Sequence, residues 1–199
     1  PIVVVAAIMQ TSPLAWITLS SSQIVTAQDL TGHTVMSMPE PESAELLSIL
    51  KQEGINTETI NIIPTSYHIK DLINGVTQAY NGYLSNEPYL LKQRGIKYNL
   101  IKSRDYGINF YSDVLVTSEA LAKTNSDLIE RFPKASLQGW KYALSNIDET
   151  VKLIHEKYAP NKTLEHLYFE ANAIRDLVIP ELIQIGHMTS LSKNNNMVG

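Results

Sequence analysis

TVMSMPEPESAELLSILKQEGINTETINIIPTSYHIKDLINGVTQAYNGYLSNEPYLLKQRGIKYNLIK, residues Thr34 to Lys102, is the stretch that decides the fold. Thr34 to Met38 reads as a short strand. Pro39-Glu40-Pro41-Glu42 then leads into a helix over Ser43 to Lys51, with Leu46, Ile49 and Leu50 on one face. Gly54 stops it as a C-terminal cap residue does. Glu58 to Ile63 is the next strand, and Tyr67 to Gly75 the next helix, with Leu72 and Ile73 toward the core. Gln78 to Leu84 is a strand, Pro88 to Arg94 a helix closed by Gly95, and Tyr98 to Lys102 a strand. Short strands alternating with capped helices predict a parallel-rich, doubly wound α/β sheet with right-handed crossovers.

Upstream, Ile2 to Ile8 is a continuous apolar, β-branched run, which predicts a strand buried on both faces. Thr11-Ser12-Pro13 breaks it, and Ala15 to Ser20 is a second extended stretch before a Ser-rich loop. Downstream, Phe110 to Thr117 is extended, and then helices dominate: Ser118 to Lys123, Ser126 to Asn146, Ile147 to Tyr158 and Leu164 to Val178. The tail from Ser192, with three consecutive asparagines, is expected to fray. The βα block is therefore bracketed by the extended stretches Ala15 to Ser20 and Phe110 to Thr117. That is the pattern of a lobe inserted on a two-strand hinge, and hinged α/β lobes close around small ligands.

Composition narrows the function. The net charge is -4 and no basic stripe is present, so nucleic acid is not an expected partner. There is no cysteine, which removes disulfides, thiolate metal sites and cysteine nucleophiles together. The most apolar stretch, Ile2 to Met9, is far shorter than the ~20 residues of a spanning helix. It opens on Pro1 without a basic leader, so the chain reads as part of something longer. His33, His68, His155, His166 and His187 have no metal-ligand spacing, and no serine-hydrolase elbow, phosphate loop or dinucleotide fingerprint is present. Neither a metal nor a cofactor is expected, and an enzyme is not.

Five segments carry a more specific signal: Ala6 to Leu14, Asp29 to Met36, Ala79 to Tyr89, Asn109 to Ser118 and Gln138 to Leu144. In order and spacing they resemble the thiamine-pyrimidine-precursor and sulfonate-binding branch of the type 2 periplasmic solute-binding proteins. Asp29-Leu30-Thr31-Gly32 is similar to the turn that opens the second lobe there, and Ser85-Asn86-Glu87-Pro88 to the strand-to-helix corner of the pyrimidine binders. The resemblance implies a two-lobed α/β fold with hinge strands, its first lobe incomplete on the N-terminal side. Residues 1–18 would be a first-lobe strand and hinge crossing, 19–107 the second lobe, and 108–199 the return crossing with the helix-rich remainder. It also implies an extracytoplasmic binder of a small solute, whose partners are the membrane subunits of an ABC importer or fused signalling domains. Gln10 to Pro13 and Ile185 to Met188 look more like the sensor group. A pyrimidine-synthase branch shares the fold but carries a cysteine-rich motif that this chain lacks.

The candidate ligand residues follow from position as much as from resemblance. Glu87 ends a strand and begins a helix, where ligands sit in open α/β sheets; the same place suits a first-turn residue complementing the helix dipole. Asn86 is either a helix cap or a ligand contact. Thr11 and Ser12 lie on the first proposed crossing, and Tyr111 and Asp113 on the second. Tyr111 can stack on a flat ring or pack on its strand. Trp16 is open between cleft and core, whereas Trp140, on an amphipathic helix, is expected in the core. Glu40, Glu42 and Glu45 crowd the start of the helix at Ser43; either they complement the helix dipole from outside, or they face the cleft, where they disfavour an anion and favour a neutral or cationic, aminopyrimidine-like solute.

Overall fold

The computed structural model of the protein describes residues 1–179. Two strands, β1 (Ile2–Met9) and β7 (Ser112–Ser118), form an antiparallel ladder from Ile2 opposite Ser118 to Met9 opposite Ser112, with an irregularity between Val4 and Ala6. Between them in sequence lies a second sheet of β2 (Leu14–Leu19), β3 (Thr34–Ser37), β4 (Asn61–Pro64), β5 (Ala79–Tyr83) and β6 (Tyr98–Lys102), ordered β4-β3-β5-β2-β6. β3 pairs parallel with β4 and β5, and β2 runs antiparallel to both β5 and β6.

Both faces of this sheet are covered, because alternate residues of its strands are apolar on either side. Trp16, Val35, Ala79 and Ile101 face one core with Leu46, Ile49 and Leu50 of helix α1 (Ala44–Gln52). Ile17, Met36 and Tyr80 face the other, with Leu72 of α2 (Lys70–Ile73) and Leu91 of α3 (Glu87–Gln93). After β7 come α4 (Glu119–Thr124), α5 (Ser126–Ser145), α6 (Ile147–Lys157) and α7 (Leu164–Val178). Leu177 and Val178 of α7 bury against Ile8 and Met9 of β1, flanked by Leu84, Leu137 and Ile174. The backbone N–H of Gln10 donates to the Leu177 carbonyl at 2.9 Å, tying the exit from β1 to the last described helix.

Several expectations change. The stretch Ala15 to Ser20, read as the entry strand of a hinge, falls in β2, a strand inside the five-stranded sheet. Trp16 and Ile17 point into opposite cores, and the strand is hydrogen-bonded to β5 on one edge and β6 on the other, so Gln10–Pro13 is the segment that joins β1 to this sheet. The run Ile2 to Ile8 is buried only in its second half: Ile2 is 76% and Val4 43% exposed. β4 begins at Asn61 rather than Glu58, because Asn56 accepts the Glu58 N–H and folds Thr57–Thr59 into a turn. α2 is shorter than Tyr67 to Gly75, since both of those residues have left-handed backbones, at φ 59° and 76°. Ser192 to Gly199, Ile185 to Met188 and His187 lie outside the described residues. Among the described residues no helix is long and apolar enough to cross a membrane.

Candidate functional site

β3, β4 and β5 are parallel, so their carboxyl ends meet at one edge of the sheet, where the chain turns away into helices and leaves a crevice. Two compartments open there. The smaller, about 200 Å³, is walled by Leu14, Tyr80, Asn81, Gly82, Tyr83 and Glu87. The larger, about 520 Å³, is walled by Ser37, Ser43, Leu47, Ile62 and Pro64 among others. Met38 and Tyr67 border both. Tyr67 is exposed and held in the left-handed region, a conformation that costs a non-glycine residue energy.

The crevice contains polar atoms that the protein leaves unpaired. Asn81 Oδ1, Ser37 Oγ and Ser43 Oγ are buried and, among the described residues, accept or donate no hydrogen bond. Each such atom costs roughly 1–3 kcal/mol until something pairs with it. Ser37 and Ser43 lie on the larger compartment and Asn81 on the smaller, where a ligand or ordered water could pair them.

Glu87 is held at the corner between β5 and α3. Its Oε2 accepts the backbone N–H of Tyr83 at 2.7 Å, and its Oε1 accepts Asn86 Nδ2 at 2.9 Å. A carboxylate has about four acceptor positions, so both oxygens keep capacity for a ligand. The carboxylate lies over Gly82, where a Cβ would come 2.9 Å from Glu87 Oε2 and 2.9 Å from Ile17 Cδ1. The surroundings are acidic. Burial raises the pKa of the Tyr83 hydroxyl, and the charges of Asp113, Glu45 and Glu87 raise it further. Burial and the Glu87 charge likewise push up Tyr80, against a hydrogen bond with Thr65.

The other expected ligand residues divide. Asn86 occupies the N-cap position of α3 but makes no capping bond; its amide goes to Glu87 and to His166. Asp113 is exposed, at φ 47°, and is not among the residues walling the two compartments, though its charge raises the Tyr83 pKa. Tyr111 is half-buried just before β7. Thr11 is buried. The Ser12 hydroxyl accepts the Leu14 N–H at 3.1 Å and bonds to Glu45, so it serves the turn. Trp16 is a correction: it is 0% exposed, and its indole N–H donates to the Met36 carbonyl at 3.1 Å, which leaves it no face toward the crevice. Trp140 is half-buried rather than core, on the wall of an apolar groove of about 580 Å³ between α5, α6 and α7. Of the three glutamates near α1, Glu40 borders the larger compartment, while Glu45 is buried and bonded to Ser103 Oγ at 2.5 Å.

Sequence reasoning missed Asn81, Tyr83, Tyr67, Met38, Ser37 and Ser43. The strand-end rule that singled out Glu87 points equally to Ser37 and Met38 at the end of β3, but it has no purchase on Ser43, which precedes α1, or on Asn81 within β5.

Known proteins agree with this frame. Residues 1–150 match the family described as NMT1/THI5 like. The riboflavin-binding protein RibY of Chloroflexus aurantiacus is 24% identical over 184 residues, covering 88% of this chain and 50% of that protein. The formylaminopyrimidine-binding protein of Halalkalibacterium halodurans is 25% identical over 159 residues, covering 77% and 48%. The chain thus spans about half the length of these curated relatives. The periplasmic aliphatic sulphonate binding protein SsuA of Escherichia coli has the same fold, with a TM-score of 0.70 at 15% identity over 86% of this chain and 59% of that one. With a crevice at the strand ends of such a fold and a match over three quarters of its length, the chain belongs to the NMT1/THI5-like family.

Proposed function

We propose that the protein binds a small, flat, nitrogen-rich solute, neutral or cationic, in the crevice at the carboxyl ends of β3, β4 and β5. The carrying observation is the Glu87 carboxylate, fixed by two hydrogen bonds beside the unpaired Asn81 Oδ1. Both are acceptors, so the matching ligand presents N–H donors, as an aminopyrimidine does. Asp113, Glu45 and Glu87 converge on Tyr83, and Glu40 borders the larger compartment, a distribution that opposes an anion. In this reading β1, β7 and the helices after them belong to one lobe, the five-stranded sheet is the other, and Gln10–Pro13 and the approach to β7 are the crossings. Tyr111 and Asp113 reach the solute from the second crossing. The binding proteins among its relatives support a solute-binding role, and the periplasmic protein of the same fold supports an extracytoplasmic one; in this proposal the receptor hands its solute to an ABC importer or reports it to a signalling domain. A cysteine-dependent synthase is not favoured by a chain without cysteine.

Calorimetric titration with formylaminopyrimidine, riboflavin and an alkanesulfonate tests this. One of the two nitrogen heterocycles should bind, and Glu87→Gln should weaken it about 10- to 100-fold, since a hydrogen bond to a charged group contributes ~1.5–3 kcal/mol. Tight sulfonate binding with no response to the heterocycles, or unchanged affinity in Glu87→Gln, sinks the assignment.

A further inference from the structure

The Glu87 carboxylate has one local anchor, the Tyr83 N–H, and one that leads elsewhere. Asn86 Nδ2 donates to Glu87 Oε1, and Asn86 Oδ1 lies 3.0 Å from His166 Nε2 on α7. A carboxylate only accepts, so the Asn86 amide must turn its NH2 to Glu87 and its oxygen to the histidine. His166 Nε2 must therefore donate, which fixes the neutral ring as the Nε2–H tautomer.

Everything around His166 holds it for that bond. It is 8% exposed, and its ring lies flat on Tyr89, with centroids 4.2 Å apart and planes 14° apart. Its backbone N–H donates to Thr163, the N-cap of α7, whose hydroxyl is also 3.3 Å from the Tyr89 hydroxyl. Gln93 Nε2 fixes the Tyr89 hydroxyl in turn at 2.7 Å. Glu170 Oε1 is 3.6 Å from His166 Nε2 but only 2.6 Å from Lys162 Nζ. The lysine is thus the closer partner of that carboxylate, and burial lowers the imidazole pKa and favours its neutral form.

Asn86 shows what this bond does. An asparagine at an N-cap ordinarily turns its side-chain oxygen to the first-turn N–H groups of its own helix. Here that oxygen is taken by a residue on another helix, and the amide is drawn across Glu87 instead. Without His166, Asn86 is released to cap α3, and Glu87 keeps only the Tyr83 anchor.

We propose that His166 is a positioning residue of the solute site: through Asn86 it sets the orientation of the Glu87 carboxylate. Its importance for binding rests on the reading of Glu87 as a ligand contact; the hydrogen-bonded relay itself does not. Because α7 follows the return strand while α3 belongs to the five-stranded sheet, the relay also makes the shape of the site depend on how these two parts meet.

The test uses the whole chain and nuclear magnetic resonance, with no ligand needed. In the unaltered protein, 15N shifts should report His166 protonated on Nε2; an Nδ1–H tautomer at neutral pH overturns the proposal. His166→Phe keeps a flat ring on Tyr89 and loses the donor, whereas His166→Gln keeps a donor and loses the ring. His166→Phe should speed solvent exchange of the Asn86 side-chain amide about tenfold, the equivalent of one ordinary hydrogen bond. His166→Gln should stay within about twofold of the unaltered chain by the same measure. The reverse order, with phenylalanine retaining protection and glutamine losing it, would mean that His166 serves only packing. Titrations with formylaminopyrimidine and riboflavin then separate the two ideas. If Glu87→Gln leaves binding unchanged, the ligand reading falls while the exchange data still judge the relay; if it weakens binding and His166→Phe does not, the relay has no bearing on the site.

Discussion

Gly82 is the residue on which the geometry of the crevice turns. A side chain there would meet Glu87 Oε2 and Ile17 Cδ1 at once, one the end of a carboxylate and the other the terminal methyl of a fully buried side chain. Gly82→Ala is therefore expected to cost about 1–3 kcal/mol of stability, the usual range for overpacking, and to push the Glu87 carboxylate off the strand. Urea denaturation reads the first effect and heterocycle titration the second. A variant as stable as the parent with undiminished binding would mean that Ile17 and Glu87 yield freely. At this scale the place of Glu87 was legible, because Pro88 marks a helix start soon after a strand, while that place alone suits a helix-dipole partner as well as a ligand contact. Ser37, Ser43 and Asn81 were not, since short polar residues at strand ends also make turns and caps, and only burial without a partner tells the cases apart. Trp16 looked available because its indole partner, the Met36 carbonyl, comes from another strand.

Between elements, Glu45 is a joint. It projects from the first turn of α1 to Ser103, just after β6, and to Ser12 in the segment between β1 and β2. Burial is the largest influence on it and raises its pKa, against the lowering effect of the two serine hydroxyls. A carboxyl whose folded pKa exceeds its unfolded value contributes its stability in full below about 4.5 and loses it as pH rises through the folded pKa. Glu45→Gln, which imitates the protonated form, should raise the urea midpoint at pH 7, and the gain should vanish below about pH 4. A lower midpoint at pH 7 would show that the ionised form is the better joint. The elements themselves were largely readable from local stops: Gly54 and Gly95 take left-handed backbones that end α1 and α3, and Pro88 sits in the first turn of α3. What was hidden is pairing. The alternation of β2 fits any strand between two cores, and nothing within Leu14–Leu19 says that its neighbours are β5 and β6.

For the whole molecule, the insertion of β2 between β5 and β6 sets the order in which the sheet can be finished. The units carrying β3, β4 and β5 pair parallel with near neighbours in sequence and can assemble as they emerge. Trp16 must instead wait for Asn81 on one edge and for Ile101 on the other. Closing so large a loop delays a contact, and until then an apolar strand has two open edges. Refolding of a Trp140→Phe chain, in which Trp16 is the sole indole, should therefore show tryptophan burial lagging behind far-ultraviolet circular dichroism. Simultaneous signals would indicate that β2 is captured early. During synthesis the same delay leaves β2 with both edges open until β5 has cleared the ribosome, and with one edge open until residue 102 has. That interval is when the chain is most open to pairing with a neighbour, or with a chaperone that holds the strand in the neighbour's place.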